Sequence, residues 1–462
     1  MKKLKLTAVF RSWQTAAIAC FLLFTVYSFS DTHYVSLTGG NVSPFTSWAN
    51  AATNIQLAVD VASSGDIVLV TNGVYDIGGD ITPGYSCMNR VVVTNNITVE
   101  SVNGPGNTII LGKGPNGNLA VRGAYLSSGI LSGFTISNGH TRTSGNYHYD
   151  NTGGGVNMNG GNGIVTNCLI TGNSGGWDGG GTAYGTVNNC AIRGNSAQYG
   201  GGTLYGIINN SIISGNSADE DAGGAYKSTV NNSDIIGNSA KARGGGTRAG
   251  IVNTCTISEN SAGKDGGGTL YSTVNNCIVS ENSAGEDGGG TYYGTVNSSA
   301  ISENSAEEDG GGTYSGIINN CTISGNSADD AGGGTYIGTI NNCIVWDNSA
   351  STSNNVYKSS IKYSCTYPLP SGMGNISNDP QFISGSDFHL QLTSPCIDAG
   401  TNLPYVYTTT DLDGNARNFG GTVDMGCYEF VPEPCLFIIY HLLFFIYYRN
   451  RKLETRNSKL ET

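Results

Sequence analysis

Between about Thr166 and Cys365 one phrase is written over and over: GTVNNCAIRGNSA, GIINNSIISGNSA, STVNNCIVSENSA, GIINNCTISGNSA. The asparagine of its NS pair falls at Asn173, Asn195, Asn216, Asn238, Asn260, Asn282, Asn304, Asn326 and Asn348, so every spacing is 22 residues except one of 21. A fixed period of this length means stacked supersecondary units that bury a continuous core only together. Leucine-rich repeats share the length but need spaced leucines, and this phrase has almost none and too much Gly, Asn, Ser and Thr for a helix. Left-handed hexapeptide coils are multiples of six residues, which 22 is not. What remains is an all-β solenoid, a right-handed parallel β-helix, each coil stacking on the last at about 4.8 Å.

Composition supports a thin core. Of 462 residues 69 are glycine, 38% are hydrophobic and only 12% are charged, a turn-rich all-β profile. Nine of the 22 basic residues lie in residues 1 to 11 and 449 to 462, which leaves 13 basic against 32 acidic residues between 31 and 448. Such a surface repels nucleic acid and anionic lipid and suits an extracellular, cation-rich setting. Residues 1–30 read as a secretory signal: Lys2, Lys3, Lys5 and Arg11 precede the apolar run Ala16 to Val26, and Ser28, Phe29 and Ser30 form a small-x-small cleavage site. A lipid anchor at Cys20 is not expected, because the apolar run continues past it.

A β-helix core must be closed at its end, and TNIQLAVDVASSG supplies an amphipathic cap. Ile55, Ala58, Val59 and Ala62 share one helical face, Thr53 or Asn54 can N-cap, and Gly65 can end the helix. Short β runs follow at IVLV, VVVT, ITVE, TIIL and FTIS. The order NIQLAVDVASSGDIVLVTNGVY resembles the opening of secreted β-helix proteins of the pectate-lyase-like (pectin lyase-like) superfamily. The GGGTxY and SGNSA phrases resemble polymorphic outer membrane protein repeats. The two resemblances cover about residues 33 to 365 and imply the fold and export. That superfamily includes both polysaccharide-cleaving enzymes and proteins without known catalysis.

The interval Ser137 to Gly155 breaks the rhythm and gathers His140, Arg142, Tyr147, His148, Tyr149 and Asp150. Loops on a rigid scaffold carry function disproportionately, and this mixture can bind a sugar or an acid, against the plainer reading of a decorated surface loop.

Within the repeat, stacking places equivalent residues in columns. Val187, Ile192, Val274 and Ile323 fill the interior. Cys168, Cys190, Cys255, Cys277, Cys321, Cys343 and Cys365 share a column with Ser211, Ser233 and Ser299, which reads as a small, mostly apolar position holding buried thiols rather than disulfides. The NS asparagines suit an amide ladder, and the GGG triplets suit a recurring turn at positive φ rather than a phosphate loop, since no helix follows them.

Asp221, Asp265, Asp287 and Asp309 form an acidic column four residues before the repeat threonine, with Arg243 interrupting it, and Glu259, Glu281 and Glu303 form another. Like charges spaced by about 4.8 Å repel by roughly 1 kcal/mol in water. Calcium held by Asp265, Asp287, Asp309, Glu259, Glu281 and Glu303 is the functional reading, and a solubilising face the bland one. Glycosidase-like carboxylate spacings carry no weight, because stacking generates them anyway. Tyr184, Tyr205, Tyr271 and Tyr293 form one aromatic column and Tyr226, Tyr292, Tyr314 and Tyr336 its neighbour; at least one should face outward, where rings could stack on sugars.

After Cys365 the composition changes. DPQF, DFHLQLTSPCIDAG, DLDGNAR and VDMGCYEF, from Asp379 to about Phe430, resemble the choice-of-anchor Q domain of exported bacterial proteins. Cys427 stands where that family has a small residue, which leaves a Cys396 to Cys427 disulfide open. DLDGN fails as an EF-hand loop, because its glycine is at the fourth place, and reads as a turn; His389 reads as packed. Val431 to Pro434, the apolar run Cys435 to Tyr448 and the basic RNRK look like a PEP-CTERM sorting signal. Fourteen apolar residues make a helix of about 21 Å, short of a bilayer core of about 30 Å.

The expected organisation is therefore a signal peptide (1–30), a β-helix (31–365), a C-terminal module (366–430), a sorting segment (431–452) and a tail (453–462). The expected function is that of an exported, surface-sorted, non-catalytic module of the adhesion or glycan-contacting kind. The alternatives are a polysaccharide lyase or glycoside hydrolase and a purely structural surface protein. The candidate ligand residues are His140, Arg142, Tyr147, His148, Asp150, Tyr271, Tyr292, Tyr293, Tyr314 and Tyr336. No catalytic residue is assigned, no cofactor is required, and calcium is the one candidate ion. Extracellular polysaccharide is the expected partner of a monomer that meets a membrane only through its tail.

Overall fold

The computed structural model describes residues 30–402 and 410–432, so the apolar runs Ala16 to Val26 and Cys435 to Tyr448 lie outside the described residues. The described chain is a right-handed parallel β-helix. A regular coil lays down short strands in turn, for instance Thr269–Asn275, Ile278–Ser280 and Ser283–Ala284. Coil on coil these pair in parallel into sheets of 25, 13 and 8 strands. The period follows from the register: Val187 pairs with Ile208 and Ile208 with Val230, so one circuit returns the chain to the same corner.

Left-handed residues keep the strands short. In the coil beginning at Thr269, Asn276 (φ 51°), Glu281 (φ 57°) and Gly288 (φ 68°) each turn the chain at a corner, while Tyr271 (φ 51°) kinks the longer strand from within. Asparagine and glycine recur at two of these corners because they enter that region at little cost. In the GGG triplet only the first residue turns this way. The other two glycines are required by contact: a Cβ on Gly268 would sit 2.5 Å from the Gly290 carbonyl oxygen of the next coil.

Two aliphatic columns, one from each large sheet, form the core, and Val187, Ile192, Val274 and Ile323 are fully buried in it. The NS asparagines are buried too, and they form the expected ladder. Asn238 Nδ2 donates to Asn260 Oδ1 at 2.9 Å and to the Ile213 carbonyl at 2.9 Å, while the Asn238 backbone N–H donates to the same Asn260 oxygen at 3.0 Å. A second amide ladder on the outside escaped the sequence reading: Asn275 Nδ2 donates to Asn253 Oδ1 at 2.8 Å and Asn297 Nδ2 to Asn275 Oδ1 at 2.8 Å.

The cysteine column differs from its expected apolar character. Ser364 rather than Cys365 fills the last position, accepting from Cys343 N–H at 3.0 Å, because Cys365 pairs in register with Ile344, and each tip in the column both accepts and donates. Ser233 N–H donates to Cys255 Sγ at 3.4 Å, and Cys255 Sγ donates to the Asn253 carbonyl at 3.2 Å. Ser299 does the same, accepting from Cys277 N–H at 3.0 Å and donating to the Asn297 carbonyl at 2.8 Å. Cysteine and serine interchange because both are small and carry such a tip. All these cysteines are buried free thiols.

Helix α1, Ile55–Val61, packs its buried Ile55, Ala58 and Val59 on the first strands, with Asn54 as N-cap accepting from Leu57 N–H at 3.1 Å. It ends at Ala62 rather than at Gly65. Buried Gln56 pairs with Val92 like a one-residue strand, accepting from its N–H at 2.7 Å and donating to its carbonyl at 3.2 Å.

The stretch after Asp379 lies along the side of the solenoid and reaches several coils. Asn276 Nδ2 donates to the Asp411 carbonyl at 2.7 Å, Cys427 N–H to Thr322 Oγ1 at 3.1 Å, and Asn342 Nδ2 to the Thr401 carbonyl at 3.0 Å. Cys396 packs with Cys365, Leu390 and Met425, whereas Cys427 packs with Ala300 and Phe388, so the two cysteines considered for a disulfide belong to separate clusters. DLDGN is a turn: Asp411 Oδ1 accepts from Asn415 N–H at 2.6 Å.

Candidate functional site

Both tyrosine columns reach the surface. In the coil at Thr291, the threonine is buried, Tyr292 is half-buried, and Tyr293 is left-handed (φ 49°), which breaks the strand alternation and leaves it exposed. Together the columns make one aromatic band from Tyr271 to Tyr357, separated by the coil carrying Arg248 and Ala249 from a shorter group of Tyr184, Tyr205 and Tyr226. Tyr292 and Tyr314 stack with centroids 4.8 Å apart and planes 14° apart, Tyr314 and Tyr336 at 4.9 Å and 18°, and Tyr336 and Tyr357 at 5.2 Å and 25°. Tyr271 joins the band, 5.5 Å from Tyr293. Tyr292, Tyr314, Tyr336 and Tyr357 cover each other's faces and offer edges and hydroxyls, whereas the exposed Tyr271 and Tyr293 are tilted or edge-on to their neighbours.

Half-buried carboxylates run beside the band. Asp287 Oδ1 accepts from Asp309 N–H at 3.1 Å, and Asp309 Oδ1 from Ala331 N–H at 3.0 Å. Burial, reinforced by neighbouring Asp309 and Asp265, pushes the Asp287 carboxyl up to about 6. The Tyr314 hydroxyl is pushed up to about 12 by burial and by the same carboxylates. Asp221 differs because Arg248 pairs with it at 2.7 Å and Arg243 approaches at 3.5 Å.

The two acidic columns do not form one cation site. Glu259, Glu281 and Glu303 occupy exposed left-handed corners (φ 57°) before the third-sheet strands, and Asp265, Asp287 and Asp309 follow those strands at the next corner. Among the described residues no group of three or more His, Cys, Asp or Glu side chains converges on a metal position. The reason is topological: a strand of the third sheet separates the members.

Across the gap at Arg248 and Ala249 the irregular loop folds onto the shorter group. Helix α2, Tyr147–Asp150, is capped by Asn146 and brings two of the expected residues to the tyrosines. Tyr147 Oη donates to Asp178 Oδ2, and His148 Nδ1 lies 2.5 Å from Tyr184 Oη. Tyr184 stacks on Tyr205 at 5.7 Å, and Lys227 Nζ donates to Tyr205 Oη at 3.1 Å. Asp178 is buried, one of its oxygens has no partner, and burial pushes its carboxyl up to about 7 against the opposing pull of Lys227.

The other loop residues go elsewhere. Asp150 is buried and structural: Oδ1 accepts from the N–H groups of Ser86 and Cys87, both at 2.8 Å, and Oδ2 from Asn146 N–H at 2.8 Å. It is withdrawn from any ligand. His140 holds the Asn138 carbonyl at 3.1 Å and packs against Gly114. Arg142 pairs through its backbone with the Asp150 carbonyl, and its buried Nε has no hydrogen-bond partner. Neither shares a hydrogen bond with the Tyr147 and His148 pair.

The residue that holds this loop, Arg122, escaped the sequence reading. Its guanidinium is fully buried and donates to Gly153 O (3.0 Å), Thr82 Oγ1 (3.2 Å), Asn89 Oδ1 (2.8 Å), Tyr149 O (2.6 Å) and Thr152 O (3.0 Å). No motif announces it. Asp178 also escaped, although a signal existed, since it stands four residues before Thr182 as Asp221 does before Ala225.

No protein-family model matches the chain, and no curated protein sequence matches it. Solved structures resemble it in fold. Pectate lyase Pel9A is 14% identical with a TM-score of 0.40, covering 86% of this chain and 96% of that one. A rhamnogalacturonan lyase is 13% identical with a TM-score of 0.33 over 77% and 91%, and the Dettilon tailspike protein 13% identical with 0.38 over 71% and 68%.

Proposed function

We propose that the protein is exported and displayed at the cell surface, where the tyrosine–aspartate band contacts an extended polysaccharide without cleaving it. The observation that carries this reading is the band itself, hydroxyl edges and carboxyls repeated coil after coil along one face, a periodic hydrogen-bonding surface that suits a linear polymer. The signal segment, the resemblance of the repeats to polymorphic outer membrane proteins, and the anchor-like and PEP-CTERM-like C-terminal segments support export and surface sorting. Cations such as calcium relieve repulsion in the aspartate column by screening rather than by a closed coordination shell. A glycan array followed by product analysis tests the reading. Retention without new chain ends is expected, whereas retention by no glycan leaves a purely structural surface role.

A second reading, a polysaccharide lyase or hydrolase, draws on one observation. Asp178, its carboxyl raised by burial to about 7, accepts from Tyr147 and lies in a polar cluster with His148, Tyr184 and Lys227. Shortened or unsaturated products that vanish in Asp178→Asn would establish it in place of the first.

A further inference from the structure

The final coil departs from the repeat at its third-sheet corner. Where inner coils carry glycines, it carries Ser353, Asn354 and Asn355: Gly332 N–H donates to the Ser353 carbonyl and Gly334 N–H to the Asn354 carbonyl, the ladder positions that glycines fill elsewhere. Inner coils forbid a Cβ there because the next coil lies against it, and here no further coil follows. Amide side chains are admitted, and a cleft of about 710 Å³ opens between this corner and the Tyr367 to Pro370 segment. A second cleft of about 320 Å³ lies on the other side of Trp346 and Asp347 and reaches Gln381 and Gln391. The volumes fall in the range of ligand sites.

The groove differs from the tyrosine band in one decisive respect. Neither Trp346 nor Tyr367 stacks on another ring among the described residues, whereas Tyr292, Tyr314, Tyr336 and Tyr357 occupy one another's faces. Tyr367 and Leu369 are 65% and 58% exposed, large apolar groups left in water at the rim. The polar lining is amide and hydroxyl, with Asp347, Asp379 and Lys358 as its charges. The exposed Tyr367 ring and half-buried Trp346, which packs partly on the cluster of Ile344 and Cys365, stand among amides and match a polyhydroxylated ring, whose apolar face stacks while its hydroxyls exchange hydrogen bonds. The net negative lining, on a chain of net charge -12, disfavours a uronate.

We propose that this end groove binds a neutral oligosaccharide, with Trp346 and Tyr367 supplying the stacking faces. The proposal rests on the reading of the protein as polysaccharide-contacting and places a discrete site beyond the band.

The test is tryptophan fluorescence titration of the mature protein with linear neutral hexasaccharides of gluco, manno, xylo and galacto configuration, with hexagalacturonate and a proline-rich peptide as competitors. At least one neutral hexasaccharide is expected to bind saturably, with affinity lowered tenfold or more in Trp346→Ala and in Tyr367→Ser. Tyr367 is mostly exposed, so its variant keeps the fold if Trp346→Ala does not. Leu119→Ser, at an exposed position outside both the groove and the band, should leave hexasaccharide affinity unchanged. Equal affinity in Tyr367→Ser, tighter binding of the uronate, or binding of the peptide alone overturns the proposal. If both groove variants still hold polymer on the array as the wild type does and no neutral hexasaccharide binds, the groove proposal falls while the band reading stands. If wild type retains no glycan, both fall.

Discussion

At the scale of single residues, the repeat selects side chains by their hydrogen-bonding tips as much as by size. Cys255 must accept from Ser233 N–H and donate to Asn253 O, which serine also does. Cys255→Ser should therefore change stability by less than about 1 kcal/mol, while Cys255→Ala leaves a buried N–H without an acceptor and costs about 1–3 kcal/mol in urea unfolding. Equal losses in the two variants would contradict this account. Burial pushes the Cys168, Cys277 and Cys321 thiols well above the usual range, so few thiols should react with a disulfide reagent until denaturant is added. The column was legible in the sequence as small and buried. Its polar requirement was not, because the cysteines outnumber the serines and a thiol reads as apolar until its neighbours are seen.

Elements show where periodicity stops being informative. Each of the later triplet glycines meets the next coil, so Gly268→Ala should lower the melting temperature far more than a substitution at Gly237, whose Cβ position has nothing within 4 Å and whose strain comes only from φ 62°. Differential scanning calorimetry of both variants separates close approach from backbone conformation. The irregular loop is the opposite case. His140, Arg142, Tyr147, His148 and Asp150 are neighbours in sequence, yet only Tyr147 and His148 reach Asp178 and Tyr184, because Asp150 and Arg122 turn the segment inward to satisfy backbone groups. Arg122→Met would leave several buried carbonyls unpaired. It should destabilise by about 3 kcal/mol or more and expose the amides of residues 147–153 to hydrogen exchange, leaving the amides of residues 256–258 protected. Composition marked this loop as unusual, but its anchor lies in a different coil and has no sequence signature.

For the molecule as a whole, buried carboxyls set the response to pH. Burial raises Asp178 to about 7, Asp424 to about 6 and Glu429 to about 8. His389, held by Asp387 at 2.5 Å and Asp413 at 2.8 Å, is raised as well, the two carboxylates outweighing its burial. In each case the folded form binds a proton more tightly than the unfolded one. For the carboxyls the stabilisation is complete below the unfolded pKa near 4 and is lost as pH rises through 6 to 8; for His389 it is complete below about 6.5 and lost above. The melting temperature should therefore fall between pH 5 and pH 8.5, and less so in Glu429→Gln, with a flat or rising profile refuting the assignment. The solenoid was legible because a ladder imposes its period on every position. The lateral seat of the C-terminal stretch was not, because it depends on contacts with Asn276, Thr322 and Asn342 that the repeat alone does not distinguish. The asparagine ladder has a further consequence. Each Asn finds in its neighbour the same partner that any other coil would offer, and the 21-residue step from Asn195 to Asn216 is tolerated without a gap. Excising residues 217–238 would join Asn216 to Ser239 and restore the phrase, upstream of every coil that holds the C-terminal stretch. Such a chain should fold one rung shorter, so recombination between repeats can tune the reach of the protein as a tape is cut to length.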